Sequence, residues 1–341
     1  MQRLKLISCE APFWAASGHG QTLWAHFLKS PELENLGQNF EVDLPDGDRL
    51  FCFYHQGHTG VVVSLYHGLS GDVYADYMQR TAILCRRLGH TVVLVNHRGA
   101  GHGAHHARHP YHSGRAEDVS EVLKVLRSKF PGQKQITIGY SMSGNIVLCL
   151  LGGFRGEEKP DGAITVNAPI NLAAGSQLLK TGFNRVYDAR FVHRLRENIK
   201  EKHRTGLIAK RYEIPWWATI HDFDQIYTAD AANFRDREDY YERCSAKNYL
   251  SKIETPTYVL TAADDPFVAV REYQKSVFPK NIQLHIEPRG GHLGYLSKMP
   301  TPLGTNRWLD YYLNEALQAM TATLGVESGA NAHSIQSKIL K

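Results

Sequence analysis

Long apolar runs are missing from this chain of 341 residues. None approaches the roughly 18 consecutive apolar residues that carry a helix across a bilayer, which argues against a membrane-spanning helix. The opening Met1-Gln2-Arg3-Leu4-Lys5-Leu6-Ile7 is too short in apolar residues to serve as a secretory leader. The expectation is a soluble, cytoplasmic protein. Cysteine is scarce: five residues, an odd number without C-x-x-C spacing, give neither a disulfide framework nor a structural zinc site. Cys85 and Cys149 fall in apolar helical patterns and read as buried thiols. The formal charge is only +5, and no basic stripe is interleaved with aromatics, so nucleic acid is not an expected partner. Internal repeats and low-complexity segments are absent too. At 43% hydrophobic, the chain buries one large core and has length to spare for an insertion.

What is present is an alternation of strand-like and helix-like segments. The hairpin Phe40–Leu44, Pro45-Asp46-Gly47-Asp48, Arg49–Tyr54 has an Asp-Gly turn. Val61–Tyr66 follows as a continuous apolar run, the mark of a strand covered on both faces. Helices around 74–88, 116–130 and 144–152 then alternate with strands at Thr91–Val95, Gln135–Ile138 and Ala163–Val166. After a break, strands return at Thr257–Thr261 and Ile282–Ile286, with helices near 268–277 and from Asn306 to Leu324. Strict alternation implies right-handed crossovers and an α/β fold with a mostly parallel sheet flanked by helices. Residues 1–169 and 251–325 form the expected main domain, 170–250 a helical cap inserted over the C-terminal edge of the sheet, and 326–341 a small polar tail. The aromatic, glycine-rich stretch 9–30 lacks a clean period and reads as an arm across the domain.

Gly139-Tyr140-Ser141-Met142-Ser143-Gly144 joins a β-branched segment to a buried helix. Strand, tight turn bearing a serine, then helix lifts a hydroxyl out at the top of a sheet. Gly139 stands two before Ser141, but Ser143 occupies the position two after it, where glycine gives more clearance. A serine hydroxyl becomes a nucleophile only beside a base that is itself oriented by an acid. Asp264-Asp265-Pro266 follows the strand ending at Thr261, and Arg289-Gly290-Gly291-His292 follows the next one. Ser141, Asp265 and His292 are the candidate catalytic residues. Asp265 is favoured over Asp264 because Pro266 fixes the turn right after it. The backbone amides of Leu69, in His67-Gly68-Leu69-Ser70-Gly71, and of Met142 are the candidate oxyanion donors.

Three other stretches carry weaker signals. Histidines 102, 105, 106, 109 and 112 are dense, but the interspersed glycines and Pro110 make the segment a loop, and no metal site or cofactor is expected there. Positive charge from Arg190 to Arg211 lies on a helical pattern, and such a face can contact anionic membrane. Pro215-Trp216-Trp217, Phe223-Asp224, Tyr227-Thr228 and Tyr240-Tyr241 supply aromatic area able to line an apolar pocket.

Taken together, these residues resemble the YheT-like branch of the α/β-hydrolase superfamily, related to eukaryotic ABHD-type hydrolases and to yeast medium-chain acyl ethanol acyltransferases. The likeness runs over about 10–322. It rests on His19-Gly20-Gln21-Thr22, Leu44-Pro45-Asp46-Gly47, His67-Gly68-Leu69-Ser70-Gly71, Asn96-His97-Arg98-Gly99, Tyr111-His112-Ser113-Gly114, Gly139-Tyr140-Ser141 and Phe223-Asp224-Gln225-Ile226-Tyr227-Thr228-Ala229. The resemblance implies an α/β-hydrolase fold and a Ser141–His292–Asp265 triad. The implied substrates are short- to medium-chain or lipid-like carboxylic esters. Water and an alcohol are alternative acyl acceptors on the same triad, and a disabled elbow would leave only a lipid or ligand binder. Ser143 in place of the family's usual glycine is the departure closest to the nucleophile. Eukaryotic relatives carry an N-terminal membrane anchor that is absent here, which points to the soluble bacterial type.

Overall fold

The computed structural model describes residues 1–326, so the expected tail lies, from residue 327 on, outside the described residues. An eight-stranded sheet runs in the order β1-β2-β4-β3-β5-β6-β7-β8. Strands β1 (Gln38–Asp43) and β2 (Arg49–His55) form the predicted hairpin. β2 pairs antiparallel with β4 (Thr91–Val95), and every further pairing is parallel. These strands are β3 (Val61–Tyr66), β5 (Lys134–Tyr140), β6 (Gly162–Val166), β7 (Thr257–Ala262) and β8 (Ile282–Glu287).

Period-two geometry with both faces covered explains why β3 is buried throughout, its one polar side chain, Ser64, meeting the Thr137 hydroxyl at 3.0 Å. Val61, Val63 and Leu65 pack on one side with α2 (Asp76–Arg87) and α11 (Trp308–Thr323). Val62 and Tyr66 pack on the other with α3 (Ala116–Lys129) and α4 (Met142–Leu151). The N-terminal stretch differs from the expected aperiodic arm. It holds a 3-10 turn at Phe13–Ala15 and a ten-residue helix, α1 (Gly18–Phe27), capped by the Ser17 hydroxyl on the Gly20 amide. Two glycines and mixed side chains hide its period, and the helix is held by docking against the loop after β8.

Between β6 and β7 the chain leaves the sheet. It forms α5 (Leu172–Leu179), the 21-residue α6 (Asn184–Arg204) and α7 (Ile220–Phe223), then a π-helical turn Asp224–Thr228, α8 (Ala229–Ala231) and α9 (Arg237–Cys244). Two small apolar clusters hold these helices, one around Val192, Ile199, Phe223 and Tyr227, the other around Phe234, Tyr240 and Tyr241. Buried Asn145, on α4, ties them to the sheet: its Nδ2 donates to the Ser113 and Cys244 carbonyls and its Oδ1 accepts the Ala246 amide. A short α10 (Val270–Lys275) follows β7. All five cysteines are free and buried, and among the described residues no helix is long and apolar enough to cross a membrane.

Candidate active site

Ser141 is the hinge between β5 and α4, with φ 52° and ψ −120°, a conformation a non-glycine residue holds only when its surroundings enforce it. Its amide donates to the Val166 carbonyl at 2.8 Å, which pins the turn to β6. A Cβ on Gly139 would lie 2.5 Å from the Ser143 carbonyl oxygen, and one on Gly144 would lie 2.8 Å from the Ala168 Cβ. The close approaches that demand glycine therefore sit two before and three after Ser141. The intervening Ser143 is fully buried and points away from the nucleophile. Its Oγ donates to the His67 carbonyl and lies 2.6 Å from His97 Nε2. The side chain takes none of the clearance beside the nucleophile, because it fills a polar slot behind the loop that follows β3.

Ser141 Oγ and His292 Nε2 are 2.9 Å apart, and His292 Nδ1 and Asp265 Oδ2 are 2.9 Å apart. Since Asp265 Oδ2 accepts, Nδ1 carries the ring proton and Nε2 is free to accept from the serine. Asp265 also accepts the Phe267 and Val268 amides on Oδ1 and the Asn167 side-chain amide on Oδ2. Asp264 does different work, accepting the Gly290 and Gly291 amides at 2.9 Å each and so shaping the loop that presents His292.

Three supporting residues were not singled out for this site from sequence. Asn167, itself at φ 51°, bridges Asp265, the Gly291 carbonyl and the Tyr295 hydroxyl. Thr22 Oγ1 accepts the His292 amide at 2.9 Å. Gln21, fully buried, donates to the Ala15 and Leu296 carbonyls and accepts the Leu296 amide. The motif His19-Gly20-Gln21-Thr22 carried that signal, but only folding shows that it abuts the histidine loop.

Leu69 and Met142 both line the cavity beside Ser141 and His292. The amides flanking Leu69 are occupied, Gly68 by the Tyr77 hydroxyl and Ser70 by the Tyr111 hydroxyl. Among the described residues, the Leu69 and Met142 amides donate to no protein group. The cavity is about 620 Å³. Its walls include Leu179, Phe191, Leu195, Phe223 and Phe267, and Arg190 and Arg194 also border it. Of the aromatic residues read as a pocket lining, Phe223, Tyr240 and Tyr241 reach the cavity, whereas Trp216 and Trp217 face solvent.

The histidine-dense segment is a loop and its rings disperse. His102 packs on Phe53, His106 on Phe51, and His112 between Phe234 and Tyr240. His109 meets Asp46 and Asp48, the one group of possible metal ligands among the described residues. Both carboxylates already have a cationic partner in Arg98, whose Nη1 lies 2.7 Å from Asp46 and 2.8 Å from Asp48.

Comparison with known proteins accords with this arrangement. Residues 61–298 match the family model for the alpha/beta hydrolase fold. The chain is 30% identical over 278 residues to YheT of Escherichia coli, a protein with a provisional esterase name, covering 79% of this chain and 81% of that one. It is 24% identical over 321 residues to phospholipase ABHD3 of Mus musculus, covering 90% and 77% respectively. Among solved structures, the esterase Pf2001 of Pyrococcus furiosus superposes with a TM-score of 0.55 at 16% identity, over 85% of this chain and 99% of that one, a likeness of fold alone. The chain belongs to the α/β-hydrolase fold family, in the YheT-like group of esterase- and lipase-like hydrolases.

Proposed function

We propose that this protein is a serine carboxylic-ester hydrolase in which Ser141, His292 and Asp265 form the catalytic triad. The observation that carries the reading is the continuous hydrogen-bonded path Ser141 Oγ, His292 Nε2, His292 Nδ1, Asp265 Oδ2, with 2.9 Å at each junction between residues. The serine oxygen attacks the ester carbonyl as His292 Nε2 takes its proton. Asp265 holds the imidazole in the required tautomer and stabilises its charged form. The oxyanion is received by the Leu69 and Met142 amides, which are fixed before substrate arrives. His292 then protonates the departing alcohol, and a water activated by the same ring releases the acid from Ser141.

Apolar walls and a volume of about 620 Å³ suit an acyl chain, so the substrate class is short- to medium-chain or lipid-like esters. Residues 170–250 act as the cap over the catalytic domain of 1–169 and 251–325, because their helices supply Phe191, Leu195, Phe223 and Tyr241 to the cavity.

Hydrolysis of a p-nitrophenyl ester series from acetate to palmitate, wild type beside Ser141→Ala, tests the assignment. The expected result is activity with a chain-length optimum, falling by several orders of magnitude in the variant. Equal turnover by the two proteins would overturn it. Ethanol or glycerol added to the same assay separates hydrolysis from acyl transfer.

A further inference from the structure

We propose that α1 and the N-terminal half of α6 form a surface that docks on an anionic lipid bilayer and brings the cavity mouth against it. The ten residues of α1, Gly-His-Gly-Gln-Thr-Leu-Trp-Ala-His-Phe, include no Asp, Glu, Lys or Arg. A solvent-facing helix ordinarily carries charge on its outer side. Here Gln21 and Ala25 face inward, and the outer side presents Trp24, 47% exposed, and Phe27, 71% exposed. The two helices are neighbours: the His19 ring lies 5.0 Å from Phe183 and stacks on Tyr187 at 5.8 Å, and His26 Nε2 is 3.5 Å from Arg190. Phe183, just before α6, and Val186, in its first turn, are 50% and 58% exposed. Thr22 and His26 from one helix and Tyr187, Arg190 and Arg194 from the other border the same cavity, whose lining also includes Asp72 and Asp76, so this apolar face adjoins one side of it.

Charge decides what the face meets. Between Ala11 and Pro31 there is no carboxylate, and between Leu172 and Arg196 the only one is Asp188, buried and accepting the Ile220 amide. Arg185, Arg190 and Arg194 pair with no carboxylate among the described residues. Further along, Lys200, Arg204 and Lys210 are matched by Glu197, Glu201 and Asp230. Arg185, Arg190 and Arg194 thus carry unmatched positive charge in the part of α6 that lies beside the exposed aromatics. Two copies meeting through this face about a two-fold axis would bring the same positively charged patch of each against the other. A bilayer with anionic headgroups satisfies both features, receiving Trp24 and Phe27 at the interface while the guanidiniums meet phosphate. The surface stands apart from the catalytic assignment; that it delivers lipid-like esters to Ser141 rests on that assignment.

Flotation of Ser141→Ala protein, which cannot consume the lipid under the proposed mechanism, tests the docking directly. The vesicles are phosphatidylcholine alone and phosphatidylcholine with phosphatidylglycerol in equal parts, each at low and high salt. Binding is expected to the anionic vesicles and to weaken with salt. It should fall about tenfold or more in Trp24→Gln/Phe27→Gln and about fivefold in Arg185→Gln. In an otherwise wild-type background, the double variant should turn over a water-soluble short ester unchanged. Should the double variant fail to melt cooperatively, Phe27→Gln alone serves. No binding to anionic vesicles overturns the proposal, as does binding that survives loss of the aromatics. Dimers that these substitutions dissolve, without vesicle binding, would assign the face to self-association instead.

Discussion

Ser143 Oγ stands 2.6 Å from His97 Nε2 while donating to the carbonyl of His67, so one hydroxyl joins the nucleophile's helix to the loops after β3 and β4. The His97 amide donates to His67 Nε2 at 3.1 Å, closing the link between those loops. Leu69, proposed to hold the oxyanion, is two residues beyond His67. Ser143→Gly restores the usual glycine but strands a buried imidazole and a buried carbonyl, at a cost of about 1–3 kcal/mol in stability. With the loop less firmly placed, kcat should fall about tenfold with little change in KM. Urea unfolding and steady-state kinetics on one ester check both outcomes; unchanged kcat would show that the loop holds itself.

The neighbouring aspartates should separate cleanly. Asp265→Asn removes the acceptor that fixes the His292 tautomer, and kcat is expected to drop by about 10³–10⁴ with the fold intact. Asp264→Asn weakens the seat of Gly290 and Gly291, so its main effect is a lower melting temperature and its kinetic effect is smaller. Paired kinetic and melting measurements on the two variants would expose a wrong assignment as the reverse pattern.

Arg98 is buried, and it pairs with Asp118 at 2.6 Å and Asp48 at 2.8 Å. Burial pushes the Asp118 carboxyl above its ordinary range despite that partner. Arg98→Met leaves both carboxylates without their cation, and the expected loss is about 3–5 kcal/mol. Because Arg98 already satisfies Asp46 and Asp48, a chelator should leave the melting temperature of the wild type unchanged. Differential scanning calorimetry reads both results.

Acid should destabilise the fold before the carboxylates dominate. Burial lowers His67 from 6.5 to about 4, does the same to His90, and drives His97 well below its ordinary value. The folded chain then binds fewer protons than the unfolded chain between those limits. The stabilisation is complete above about pH 6.5 and is lost as pH falls toward 4, with roughly 3 kcal/mol from His67 alone. Urea midpoints across this interval should decline, and less steeply in His90→Gln, which lies away from Ser141. A flat profile would mean that these rings take up protons in the folded state.

Much of this was written in local sequence. Strand Val61–Tyr66 could be read because a run of apolar residues, period-two on both faces, has few homes other than a covered parallel strand. The elbow could be read because strand, small-residue turn and apolar helix are consecutive. The order of Ser141, Asp265 and His292 followed from strand ends, which are also local. Helix α1 was illegible, since its stability comes from Gly18 and Thr22 docking on the loop of Asp264 and His292, not from its own period.

The sequence by itself determined the alternation of strands and helices, the nucleophile turn, and the candidate acid and base. Each of these is a matter of periodicity and turn chemistry over a few residues. Pro266 already favoured Asp265 over Asp264, but tertiary structure alone decided that its carboxylate reaches His292, that Ser143 turns its hydroxyl to His67 and His97, and that Asn167 supports Asp265. It also decided that a helix without Asp, Glu, Lys or Arg and three unmatched arginines share one face. Those facts are distances between residues that the chain separates by tens to hundreds of positions, and only the closing of the sheet and the docking of its loops bring them within hydrogen-bonding reach.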